Sequence, residues 1–165
     1  MSTSSRILAC SAALALSLSC VGIPSHAQEP GKPAAASAVT PELEAKFAAT
    51  LTNATMRGRW CGFKDGELGP EKEDSYNIVS MVKGEGDKWT ITARMNYGGQ
   101  SIDLPIPVVV KWAGDTPVLV LDNVTLGPGR TYSARVMIYE KTYSGWWTAA
   151  DHGGLLNGLI VSAAK

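Results

Sequence analysis

Lys88-Trp89-Thr90-Ile91-Thr92-Ala93-Arg94-Met95 decides the fold. Trp89, Ile91, Ala93 and Met95 share one parity, and Lys88, Thr90, Thr92 and Arg94 share the other. A period of two belongs to a strand with one apolar and one polar face. The pattern continues on both sides of this stretch. Downstream, Ile102, Leu104, Ile106, Val108, Val110 and Trp112 form a second apolar face. Pro105 and Pro107 occupy its opposite parity and have no N–H to donate, which puts the stretch at an edge or breaks it in two. Gly114-Asp115 then separates it from Val118–Asp122 as a hairpin, and Gly127-Pro128-Gly129 marks another turn. Thr131–Glu140, Thr142–Ala149 and Leu155–Val161 follow, and Gly58–Phe63 and Ser75–Lys83 precede.

These segments make about eight strands in roughly 105 residues, too closely spaced for crossover helices. The expected fold is all-β, an antiparallel up-and-down barrel, with a two-sheet sandwich as the alternative. A short helix should come first. Thr40 can cap it, Pro41 suits its first position, and Glu42 and Glu44 favour its positive end. Leu43, Phe47 and Leu51 form one apolar stripe, and the helix should end near Asn53.

Residues 1–27 read as a signal peptide. Arg6 is the only charge before Glu29, Ile7 to Ile23 is apolar, and Ser25 and Ala27 supply the small residues of a cleavage site. Residues 28–40, rich in Pro, Gly, Ala and Ser, read as a flexible spacer, and 41–165 as one barrel domain with its helix. The protein is therefore expected in the periplasm, cell envelope or extracellular space. Leu16-Ser17-Leu18-Ser19-Cys20 weakly matches a lipoprotein box, so a membrane is an expected partner only if Cys20 is lipidated.

The chain has 15 basic and 15 acidic residues, leaving no basic field to gather nucleic acid. Cleavage after Ala27 removes Cys10 and Cys20, and Cys61 alone cannot form an internal disulfide. It is expected as a buried, inert thiol facing away from Trp60. His26 leaves as well, so His152 is the one remaining histidine and any site needing two is excluded. No metal or cofactor is expected.

Asp151-His152-Gly153-Gly154 reads as a turn in which the glycines take positive φ; an enzyme centred on His152 is a lesser alternative. Residues 62–74 read as a polar loop whose five acids could in principle meet a calcium ion, although their spacing does not fit an EF-hand. Trp146 and Trp147 put one indole on each face of their strand.

Gly58-Arg59-Trp60, opening a first strand directly after a helical segment, resembles the calycin families, the lipocalins and avidins. The resemblance covers these three residues and the strand count; the lipocalin Thr-Asp-Tyr signature is missing. It implies a small barrel in which the Trp closes one end and an apolar ligand sits inside. The expected function is an exported, non-catalytic binding protein for a small apolar or amphipathic ligand. Trp60, Trp146, Trp147 and His152 are the candidate ligand contacts. A structural or cell-envelope interaction module is the alternative.

Overall fold

The computed structural model describes residues 39–97, 99–126 and 129–162. The expected signal peptide, the Cys20 motif and nearly all of the spacer lie outside these residues. One helix, α1 (Pro41–Leu51), is followed by β1 (Ala54–Lys64), β2 (Glu67–Leu68), β3 (Lys72–Lys83), β4 (Lys88–Tyr97), β5 (Gln100–Ala113), β6 (Thr116–Leu126), β7 (Arg130–Tyr139), β8 (Thr142–Ala149) and β9 (His152–Ser162). Each long strand pairs antiparallel with the next, and β1 pairs with β9 over ten positions from Ala54↔Ser162 to Phe63↔Gly153. That last ladder closes an eight-stranded antiparallel barrel and removes the sandwich alternative. The two-residue β2 is an appendage to β1.

Alternation accounts for the core. The inward positions of β4 and β5 are Trp89, Ile91, Ala93, Val108 and Val110, all buried. Facing strands contribute Ala54, Met56, Ile78, Leu119, Val136, Ile138, Leu156 and Ile160. Closing so narrow a barrel forces β1 and β9 together. A Cβ on Gly58 would lie 1.9 Å from the Asn157 carbonyl oxygen and 2.7 Å from the Gly158 Cα. Glycine is required there for close backbone approach.

The edge reading of β5 holds, but the strand is unbroken. β5 pairs with β4 from Gln100 to Val109, whereas its ladder with β6 runs only from Val109 to Ala113. The Val110 N–H donates to the Asp87 carbonyl on the β4 side. Donor direction alternates along a strand, so positions 105 and 107 face β6, where proline has nothing to donate. The two strands part at that point.

Within the expected loop of 62–74, residues 63–68 form a hairpin, and only Gly69 to Glu71 connects β2 to β3 without regular structure. β1 runs to Lys64, Asp65 and Gly66 take φ of 52° and 82°, and β2 returns opposite Phe63 and Lys64. Two left-handed central residues make a two-residue turn matched to strand twist. The helix also differs slightly, ending at Leu51, with Asn53 in the left-handed region (φ 52°) as the chain turns into β1.

Candidate functional site

The two ends of the barrel differ. One end is plugged by α1. Thr40 Oγ1 accepts from the Leu43 N–H at 3.3 Å, Pro41 opens the helix, and the predicted stripe points inward. Phe47 and Leu51 are buried, and Phe47 meets Trp89 and Trp112 edge-to-face at 5.4 and 5.7 Å. Lys83 Nζ donates to Glu44 at 2.6 Å and lies over Trp89, tying α1 to β3.

At the other end, inward-parity side chains become accessible. Along β4 exposure rises from Ile91 at 7% to Met95 at 52%, and along β5 from Val108 at 4% to Ile102 at 49%. Tyr76, inward on β3 opposite buried Met56, is 37% exposed. Across the sheet order from β4 and β5, Trp60 on β1 meets Trp147 on β8 at 5.8 Å. Trp147 also contacts Tyr132 at 6.2 Å and the edge of His152 at 5.4 Å. Lys72 Nζ lies 4.9 Å from the Trp60 ring centroid.

The structure therefore brings together Trp60, Trp147 and His152 of the four residues singled out from the sequence. Trp146 stands apart, outward on β8 and 40% exposed. The resemblance implied that Trp60 closes a barrel end. Here the closure is by α1, and Trp60 sits six residues into β1, toward the opposite end. Cys61 is half-buried, not fully buried, on the face opposite Trp60.

His152 Nδ1 is 2.7 Å from Asp151 Oδ1 at the β8–β9 turn. The imidazole holds the Asp151 carboxyl below its ordinary value by hydrogen bonding and charge. Gly153 and Gly154 are not positive-φ residues, contrary to the turn reading; they make room. A Cβ on Gly153 would lie 2.6 Å from Phe63 Cζ, and one on Gly154 2.8 Å from the Cys61 carbonyl oxygen.

Compared with protein-family models, curated proteins and solved structures, the chain matches none. The site is therefore defined by its own geometry.

That geometry includes a polar cluster which the sequence reading left out. Asp74 and Tyr76 share the inward parity of β3, and Tyr76 Oη donates to Asp74 Oδ2. Asp74 Oδ1 accepts from the Ser75 N–H at 2.8 Å. Tyr143, 2% exposed on β8, ends against Gly58, and its hydroxyl has no hydrogen-bond partner. Burial, followed by the Asp74 carboxylate, pushes the Tyr143 phenol pKa up. Burial first, then the Asp74 hydrogen bond and charge, pushes Tyr76 up further. An open depression of about 590 Å³ lies at the same stretch of the β1–β3 ladder, bounded by Gly58 and Asp74 and by the outward residues Arg57, Arg59, Glu73 and Ser75.

The missed signal was in β3. Starting that strand at Ser75 left Lys72 and Asp74 in a loop, whereas the alternation Lys72, Asp74, Tyr76, Ile78 carries a charged pair onto the inward face. Among the described residues no three His, Cys, Asp or Glu side chains gather as a metal site.

Proposed function

We propose that this protein is an exported, non-catalytic binding protein that takes a small apolar or amphipathic ligand into the open half of its barrel. One observation carries the reading: apolar side chains of inward parity, Met95 and Ile102, are about half exposed at the end opposite the plug. Apolar groups on a concave, accessible wall lower their free energy when a ligand removes them from water. Trp60, Trp147 and Tyr132 face them from the other side of the barrel and supply aromatic walls. The calycin resemblance supports the same use of the fold, since strand number and up-and-down order agree with it.

Titration of the full chain with an environment-sensitive apolar dye tests the reading. Native mass spectrometry of protein recovered from an exporting host adds a check for a carried mass. Saturable one-to-one dye binding is expected. Absence of both saturation and a carried mass would overturn the proposal.

A second reading, an interaction module of the cell envelope, has its own observation. Met137, Tyr139, Trp146, Leu155, Leu159 and Val161 are outward and exposed on neighbouring strands β7, β8 and β9, with Trp146 paired to Leu155. It predicts self-association or envelope retention, and a freely soluble monomer would count against it.

A further inference from the structure

Taking the open half of the barrel as a ligand site, we infer that Tyr143, Asp74 and Tyr76 form its polar anchor, selecting an amphipathic ligand whose head group donates hydrogen bonds and carries no negative charge. The inference rests on the binding reading above and names the ligand class for the same site.

Three observations lead to it. First, the Tyr143 hydroxyl is buried without a partner. An unmet hydroxyl of this kind costs free energy, and a native barrel keeps one where a ligand group or a water completes it. The side chain is held against the wall: a Cβ on Gly58 would come within 2.6 Å of its hydroxyl oxygen, and one on Gly158 within 2.8 Å of its ring Cε1. Second, the acid beside it retains spare acceptor capacity. Asp74 accepts from the Ser75 N–H and from Tyr76, and a carboxylate offers about four lone-pair sites. The Tyr76 oxygen, whose O–H donates to Asp74, can still accept. The cluster thus offers one donor and several acceptors. Third, the Lys72 ammonium is held over the Trp60 ring, 4.9 Å from its centroid, on the side toward which an apolar tail would run.

A hydroxyl or ammonium head matches this inventory. It donates to Asp74 or Tyr76, and a hydroxyl also accepts from Tyr143. A carboxylate or phosphate head would bring a second negative charge beside Asp74, which like-charge repulsion disfavours. The apolar tail then extends toward the Trp60–Trp147 pair and the Met95–Ile102 wall.

The test uses three probes of equal chain length, decanol, decylamine and decanoate, titrated into the full chain and followed by tryptophan fluorescence. Decanol and decylamine should bind saturably, and decanoate at least about tenfold more weakly. Tyr143→Phe should weaken decanol binding several-fold, and Asp74→Asn should weaken decylamine binding and narrow the gap to decanoate. Tyr143→Phe keeps the ring between Gly58 and Gly158, so it reads the hydroxyl alone even where Asp74→Asn fails to fold. Equal binding of all three probes, unchanged by Tyr143→Phe, would overturn the anchor and leave the binding reading standing. Preferred binding of decanoate, or a Tyr143 hydroxyl occupied only by a water in the probe-bound state, would also overturn the anchor. Binding of none of the three would overturn both.

Discussion

The plugged and open ends of the barrel use the same strands for different purposes. At the plugged end, inward residues meet a helix selected by its own stripe: Phe47 packs edge-to-face on Trp89 and Trp112, and Leu51 and Val110 are fully buried in the same core. Towards the open end the inward series continues, through Met95 on β4 and through Leu104 and Ile102 on β5, with no helix among the described residues to meet it. The change falls where Pro105 and Pro107 stop β5 pairing with β6. Burial at one end is therefore stability. Exposure of the same residue types at the other leaves apolar surface in contact with water.

Substitution should break this comparison most strongly at the plug. Phe47→Ala should cost about 3–5 kcal/mol, because it removes two edge-to-face contacts and leaves a cavity. Denaturant melts check it; a loss no larger than that of a surface mutant would mean the helix is not the seal. Gly58→Ala at the β1–β9 closure should cost about 1–3 kcal/mol or more, since the new methyl meets backbone that must move. At the open end, Ile102→Ala should change stability by no more than ~0.5 kcal/mol while weakening dye binding. If Ile102→Ala instead destabilised as Phe47→Ala does, the open half would be a packed core.

The phenols sharpen the comparison through pH. Tyr76 and Tyr143 have pKa values raised above the ordinary 10.0 in the folded protein. Above that value the unfolded chain releases protons that the folded chain retains, so stability is intact below it and falls as pH rises past it. Melting temperature should drop as pH rises above about 10, and phenolate absorbance should show Tyr76 and Tyr143 ionising later than in the unfolded chain. Ionisation of Tyr76 and Tyr143 at the same pH in the folded and unfolded chain would contradict their desolvation. The smallest effect lies on the acid side. Asp87, Asp103 and Asp151 are held below the ordinary 3.8, mainly by their hydrogen bonds to Lys111, Arg94 and His152. Their contribution is present above 3.8 and is lost as pH falls below it. It should be slight and weaken further with salt, because all three are exposed.

Most of the barrel was legible because a strand with one buried face prints its period in sequence. Trp89 to Met95 and Tyr132 to Ile138 kept the faces that their alternation assigns. The helix was legible from Thr40, Pro41 and a stripe of three apolar residues. Two features were not. Asp65-Gly66 is a strong hairpin signal hidden among acids, so composition suggested a loop. Asp74 and Tyr143 were overlooked because their meaning is relational: the acid matters only once register sets it beside Gly58, and the hydroxyl only once the wall closes over it. Trp60, Trp147 and His152 come together for a similar reason, since β1, β8 and β9 become neighbours only when the barrel closes.

The central claim is that the open half of the barrel interior is the ligand site. The most direct test is an amide chemical-shift map of the full chain titrated with an apolar dye. The account predicts saturable shifts at Trp60, Met95, Tyr132, Tyr143 and Trp147, with Phe47 and Leu51 unmoved. Shifts confined to Met137, Trp146, Leu155 and Leu159 on the outer wall, or no saturable shifts at all, would contradict it.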